Sequence, residues 1–348
     1  MNYKNKTTAV YTILHLLVDF STIFLVSKVI LGPLCTIANR GNVIIAYNLI
    51  AFAGQLPIGI LSDVIGKNRF LTALSCALIC ISYLLSPLFG WTSLVFAALG
   101  NAIFHVGAGS DILEMSMPKA GLSGLFVSSG AIGVYLAYKA EGTLISVLCP
   151  SVMLLACIFL LMTRTFFTPE KKEFKIHYKK PGLLIASAVI CFMLTVVIRS
   201  FLGMIMNFSW KAMPLLSALF ILAVAAGKAA GGFICDRFGY IKTAAISLSL
   251  SFILFCFSFS VPVAGIVAVL CFNMTMPLTL TAIAGVSNQK YGFAFGMTTF
   301  ALAIGFIPTV FGAGKLFSVP SLLWSVLLSL ILFILGCTLV TKAKKGER

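Results

Sequence analysis

Charge is what this sequence has least of. Only 10% of its 348 residues are Asp, Glu, Lys or Arg, just nine of them acids, and there are three histidines and three tryptophans. A soluble chain carries roughly a quarter charged residues. Here 60% of residues are apolar and the mean hydropathy is +1.08. A water-soluble fold would have to hide more apolar surface than one core can hold. Lipid removes that demand, because the bilayer is the solvent for those faces. A soluble globular domain is excluded.

Other absences narrow the function. No glycine-rich phosphate loop is present, so the energy source is an ion gradient or the substrate's own gradient. The first apolar stretch holds His15 and Asp19 and lacks a small-residue cleavage site, so it reads as a retained span. The ten cysteines form no framework. Most fall inside apolar stretches, where cysteine behaves as a small hydrophobe. Cys76 and Cys80 are four apart, but no second pair completes a metal set. Neither metal nor cofactor is expected.

What is present is a series of apolar stretches near 8–31, 42–62, 70–90, 92–112, 122–143, 145–164, 182–205, 212–234, 243–260, 262–284, 292–312 and 317–340. Each suits a spanning helix, which needs about twenty residues. With the N-terminus in the cytoplasm, eighteen of the 25 Lys and Arg fall in cytoplasmic segments, five in external ones, and Arg199 and Lys228 inside spans. Basic residues in short loops stay on the cytoplasmic side. Both termini are therefore expected in the cytoplasm. The net charge of +16 reflects topology and anionic lipid, and nucleic acid need not be invoked. The basic segment 165–181 divides six spans (1–164) from six more (182–348).

Each half carries one copy of a motif. Gly59, Asp63, Gly66 and Lys67 follow span 2; Gly232, Asp236, Arg237 and Gly239 follow span 8. The two glycines and the acid recur at a constant offset of 173 residues. Glycine at a helix end allows close helix approach, the acid sits beside a neighbouring helix end, and the second glycine permits a tight turn. The pattern resembles the loop 2–3 signature of the major facilitator superfamily, with its echo in loop 8–9, although Val64 stands where that family prefers a cation. The resemblance implies an all-α membrane protein of twelve transmembrane helices in two six-helix bundles, with a substrate cavity lined by spans 1, 4, 7 and 10. The motif would then act as a conformational switch.

Ionisable residues inside a bilayer cost several kcal/mol unless paired, so they point to function. His15 and Asp19 share one face of span 1, and Asn101 and His105 one face of span 4, each pair four residues apart. Counted from the cytoplasmic edge, the two pairs reach matching depths, roughly 10 and 16 Å at 1.5 Å per residue. One His–Asp–His–Asn cluster is expected. A carboxylate beside an imidazole can hold or release a proton near neutral pH, which makes His15, Asp19 and His105 proton-coupling candidates. A static interhelical clasp is the competing explanation. Arg199 could fork an anionic substrate or snorkel outward. Asn101 and Asn273 are further substrate-binding candidates. Lys228 is expected to snorkel, and Asp111 and Glu114 to lie in a solvated cluster at the end of span 4.

His15-Leu-Leu-Val-Asp19, Phe104-His105 and the segment Gly121–Gly130 are similar to the fosmidomycin-resistance branch of the superfamily. That resemblance implies proton-coupled efflux of a drug-like or metabolite solute. The expectation is a non-enzymatic, monomeric secondary transporter of the bacterial cytoplasmic membrane, with protons, lipid and a small molecule as partners. Uptake or facilitated passage of a small organic anion is the alternative. A membrane-embedded enzyme or a scramblase is more remote.

Overall fold

The computed structural model describes residues 3–31, 40–163 and 182–345, so the basic segment 165–181 lies outside the described residues. Among these residues the secondary structure is helical, with no strand. The helices are α1 (Tyr3–Ile30), α2 (Gly41–Ile65), α3 (Asn68–Leu85), α4 (Gly90–Ser116), α5 (Gly121–Lys139), α6 (Thr143–Met162), α7 (Gly182–Ile205), α8 (Pro214–Phe238), α9 (Tyr240–Phe255), α10 (Pro262–Val286), α11 (Tyr291–Val310) and α12 (Val319–Lys345). All but α9 are long and apolar enough to cross a membrane. Their outward faces are apolar: Leu144, Leu155 and Met162 on α6 are 68%, 66% and 77% exposed, as lipid contact requires.

Several helices depart from the expected bounds by four or five residues, and two of them, α9 and α4, change the reading. Span 9 was expected over 243–260, yet α9 ends at Phe255. Phe257 and Ser258 then bond back only three residues, to Leu254 and Phe255, and Pro262 opens α10, where a missing N–H costs nothing. The sixteen residues of α9 rise about 24 Å, less than a hydrocarbon core of about 30 Å. Conversely, α4 runs four residues past its expected end at 112, to Ser116. Two other helices change pitch midway. In α2 a π-helical turn covers Leu49–Ala53. In α10, Met274 N–H bonds to Cys271 O at 3.2 Å, three residues back, separating Pro262–Asn273 from Thr275–Val286.

The chain forms two compact units. Unit 1 comprises Met1–Met115, Ser129–Lys171 and Tyr291–Phe300; unit 2 comprises Ser116–Ser128, Lys172–Lys290 and Ala301–Arg348. Small residues set the packing within unit 1. A Cβ on Gly100 or Gly107 of α4 would strike Ile79 or Thr72 of α3, so these glycines let two helices approach closely where lipid provides no hydrophobic drive. Tyr83 on α3 donates to Ser21 O on α1 at 2.6 Å. Unit 2 has an aromatic core that includes Phe208, Trp210, Phe220, Phe255 and Phe272. Trp210 stacks on Phe208 with centroids 5.0 Å apart and donates its indole N–H to Ser258 O at 2.8 Å.

Candidate functional site

Within unit 1, α1 and α4 bring four polar side chains together. Asp19 Oδ2 lies 3.3 Å from His15 Nε2, and Asp19 Oδ1 lies 3.6 Å from His105 Nε2. Asn101 Nδ2 donates to Asp19 Oδ1 at 2.9 Å and lies 3.2 Å from Thr22 Oγ1. The imidazole rings of His15 and His105 meet edge to face at 4.6 Å. His15, Asp19 and Asn101 are 4%, 8% and 4% exposed, so water screens little of this charge. Helical spacing put each pair on one face, and equal depth let the pairs meet.

The hydrogen-bond directions carry chemical information. His105 Nδ1 lies 2.8 Å from Asn101 O. A carbonyl only accepts, so Nδ1 carries the hydrogen. In a neutral ring Nε2 is then a bare lone pair, facing a carboxylate oxygen that is also an acceptor. A proton placed on Nε2 or on the carboxyl group turns that contact into an attraction. The donor atoms of His15, Asp19 and His105 also lie within 4.8 Å of one another, close enough to grip a metal ion.

Two contributors escaped the sequence reading. Thr22, one turn beyond Asp19, donates to Val18 O at 2.9 Å and takes part in the Asn101 contact. Gly130 on α5 roofs the cluster, since a Cβ there would collide with Asp19 Oδ2 and His15 Nε2. Three residues on, a Cβ on Gly133 would strike the Leu16 carbonyl of α1. Asp111 is a correction. It was expected in a solvated cluster, but it is 5% exposed, and Tyr11 of α1 donates to it at 2.8 Å.

The two motif acids cap helices. Asp63 accepts the Gly292 and Phe293 N–H groups, both at 2.8 Å, at the start of α11. Asp236 accepts the Ala120 and Gly121 N–H groups at 2.6 and 3.1 Å, at the start of α5. Each carboxylate thus satisfies otherwise unpaired amides at a positive helix end. A Cβ on Gly59 would collide with the Gly292 carbonyl, and one on Gly232 with the Ala120 carbonyl. Gly66 and Gly239 both have positive φ, 63° and 84°, which spares a side chain strain at each turn. Lys67 and Arg237 flank them.

In unit 2, Arg199 is 6% exposed and its guanidinium reaches Thr275 and Thr279 of α10 instead of a helix end. Asn273, 9% exposed, donates to Val269 O of its own helix at 2.9 Å. Lys228 is half-buried on α8. A cavity of about 460 Å³ in unit 2, lined by Tyr240, Lys242, Thr281 and Lys344 among others, touches Gly239 of the motif but none of the proton-coupling or substrate-binding candidates.

Among the described residues, eleven helices long and apolar enough to cross a membrane, with buried polar clusters, define a polytopic helical membrane protein. No protein-family model matches the chain, and no curated protein sequence matches it. Solved structures do. The E. coli fucose:proton symporter FucP aligns with a TM-score of 0.68 and 14% identity over 97% of this chain and 99% of that one. The human organic anion transporter MFSD10 aligns at 0.66 and 14% over 98% and 100%. The proton:xylose symporter XylE aligns at 0.60 and 13% over 95% and 94%. Identity this low speaks for architecture alone: the chain has the twelve-helix major facilitator fold.

Proposed function

We propose that the chain is a secondary transporter that moves a small solute across the bacterial cytoplasmic membrane by alternating access of its two halves. Protons taken up and released at His15, Asp19 and His105 drive it. The observation that carries this reading is a buried carboxylate between two imidazoles, one with its Nε2 lone pair turned toward the acid in the neutral form. Such a group changes charge with one proton and feels that change strongly in a dry interior. Two of the structures sharing the fold are those of proton symporters, which supports proton coupling. Outward movement of a drug-like or metabolite solute follows the resemblance of residues 15–19, 104–105 and 121–130 to the fosmidomycin-resistance branch. Asp63 and Asp236 are the latches of this cycle, holding the starts of α11 and α5 in the conformation described here.

Uptake of a small organic anion is the second reading, favoured by the buried Arg199 and by the organic anion transporter among the structures with this fold. Proteoliposomes with an internal pH-sensitive dye test both. Candidate solutes are added under an imposed pH gradient, and proton movement is read as each is carried. Solute moving against the proton gradient supports efflux, and solute moving with it supports uptake. Solute flux that ignores the pH gradient in the wild-type protein refutes proton coupling.

A further inference from the structure

Arg199 is the only charged side chain of α7, and it lies in the buried part of unit 2. Its guanidinium donates to Thr275 Oγ1 at 3.4 Å and to Thr279 Oγ1 at 3.2 Å. Both hydroxyls spend their own hydrogens on helix carbonyls, Thr275 on Phe272 O at 3.0 Å and Thr279 on Met276 O at 2.9 Å. They meet the cation with neutral lone pairs at long range. A guanidinium has five N–H donors, and these two contacts are the hydrogen bonds it makes among the described residues. No carboxylate of the described residues lies within 4.0 Å of it. A buried charge without a counter-charge is strongly unfavourable, and within a membrane it persists where function needs it.

The second observation is the break in α10. Its second segment, Thr275–Val286, begins at a residue the guanidinium touches. Met274 keeps helical dihedrals there, φ −57° and ψ −28°, so the backbone tightens by one three-residue bond without leaving the helix. Thr275 and Thr279, one turn apart, thus stay on the face that the guanidinium meets. Asn273 adds an amide at the same break.

We propose that Arg199, positioned by Thr275 and Thr279, binds an oxyanion group, carboxylate or phosphate, through its remaining N–H donors. Given the transporter reading above, on which this last step rests, that group belongs to the transported solute. The planar fork of arginine matches two oxygens of such a group at once.

The test uses purified full-length protein in detergent, melted in rising sodium formate, sodium phosphate or sodium chloride at equal ionic strength. Formate or phosphate raises the melting temperature above the chloride series and saturates. A response to formate alone identifies a carboxylate site, and one to phosphate alone a phosphate site. Arg199→Gln abolishes the response, and Arg199→Lys shifts its midpoint at least about tenfold higher, because the fork is lost. Lys242→Gln, an exposed cation on α9, leaves it unchanged. In chloride, Arg199→Gln melts above the wild type, since an uncompensated buried charge is gone; a purely structural arginine would make it melt below. The proposal is overturned if wild-type melting is the same in all three salts, if Arg199→Gln keeps the response, or if Arg199→Gln melts below the wild type in chloride. No gradient is present in this measurement, so its failure leaves proton coupling untouched, and a failure of pH-driven flux leaves anion binding standing.

Discussion

Asp19 shares two oxygens among three partners, and each partner arrives by a different helical register. Asp19→Asn keeps the shape and most hydrogen bonding while removing the ionisable acid. It is expected to abolish pH-driven solute accumulation in proteoliposomes and to spare exchange at equal pH. Accumulation that survives in a folded Asp19→Asn protein refutes a coupling role for the acid. Loss of folding together with flux would favour the static clasp instead. Gly130→Ala approaches the same site from above. The new methyl group must push into Asp19 and His15, an overpacking that costs about 1–3 kcal/mol. Coupled flux should fall with a lower melting temperature, and unchanged flux would show that α5 can retreat. Tyr11→Phe leaves buried Asp111 without its phenol donor, a loss of about 1–3 kcal/mol readable as reduced thermal stability. The four-residue spacings made the first of these sites legible in the sequence. Gly130, Thr22 and Tyr11 were not legible, because nothing local says which neighbouring helix a glycine, threonine or tyrosine faces.

Among the helices, the starts of α11 and α5 matter most. Neither supplies its own capping side chain to the amides that Asp63 and Asp236 accept. Both acids lie more than a hundred residues away, so the motif repeat was visible in the sequence and the capped helices were not. Asp63→Asn and Asp236→Asn each weaken a charge-assisted cap, at about 1 kcal/mol. Comparable drops in melting temperature are expected for the two variants, since each carboxylate accepts two amides. Melting unchanged in both would reduce the motif to a stop-transfer charge. Helix ends show the same division between local and remote information. The end of α9 at Phe255 and the extension of α4 to Ser116 were misplaced because hydropathy reports which residues tolerate lipid, not where backbone hydrogen bonding changes partner. The break in α10 at Met274 involves no glycine and left no mark that hydropathy could register.

At the scale of the whole molecule, the asymmetry of eighteen basic residues to five makes a topological prediction. In a cysteine-free background, single cysteines placed in 165–181 and in the C-terminal tail should react only with reagents that reach the cytoplasm. Labelling of the tail from outside intact cells would refute the arrangement with both ends inside. Composition and the run of apolar stretches by themselves determined that the chain is a helical membrane protein of about twelve spans, and the 173-residue repeat made two related halves the expectation. They could do so because the bilayer acts on every residue alike: each lipid-facing position must be apolar, and each span must satisfy its own backbone. Tertiary structure alone decided which polar side chains meet. It set His105 Nε2 against Asp19, put Gly130 over the pair, laid Asp63 and Asp236 on distant helix starts, and left Arg199 facing two threonines with no acid of the described residues beside it. Those outcomes depend on helix rotation and on contacts between residues far apart in the chain, and neither is written into the local hydropathy of any one span.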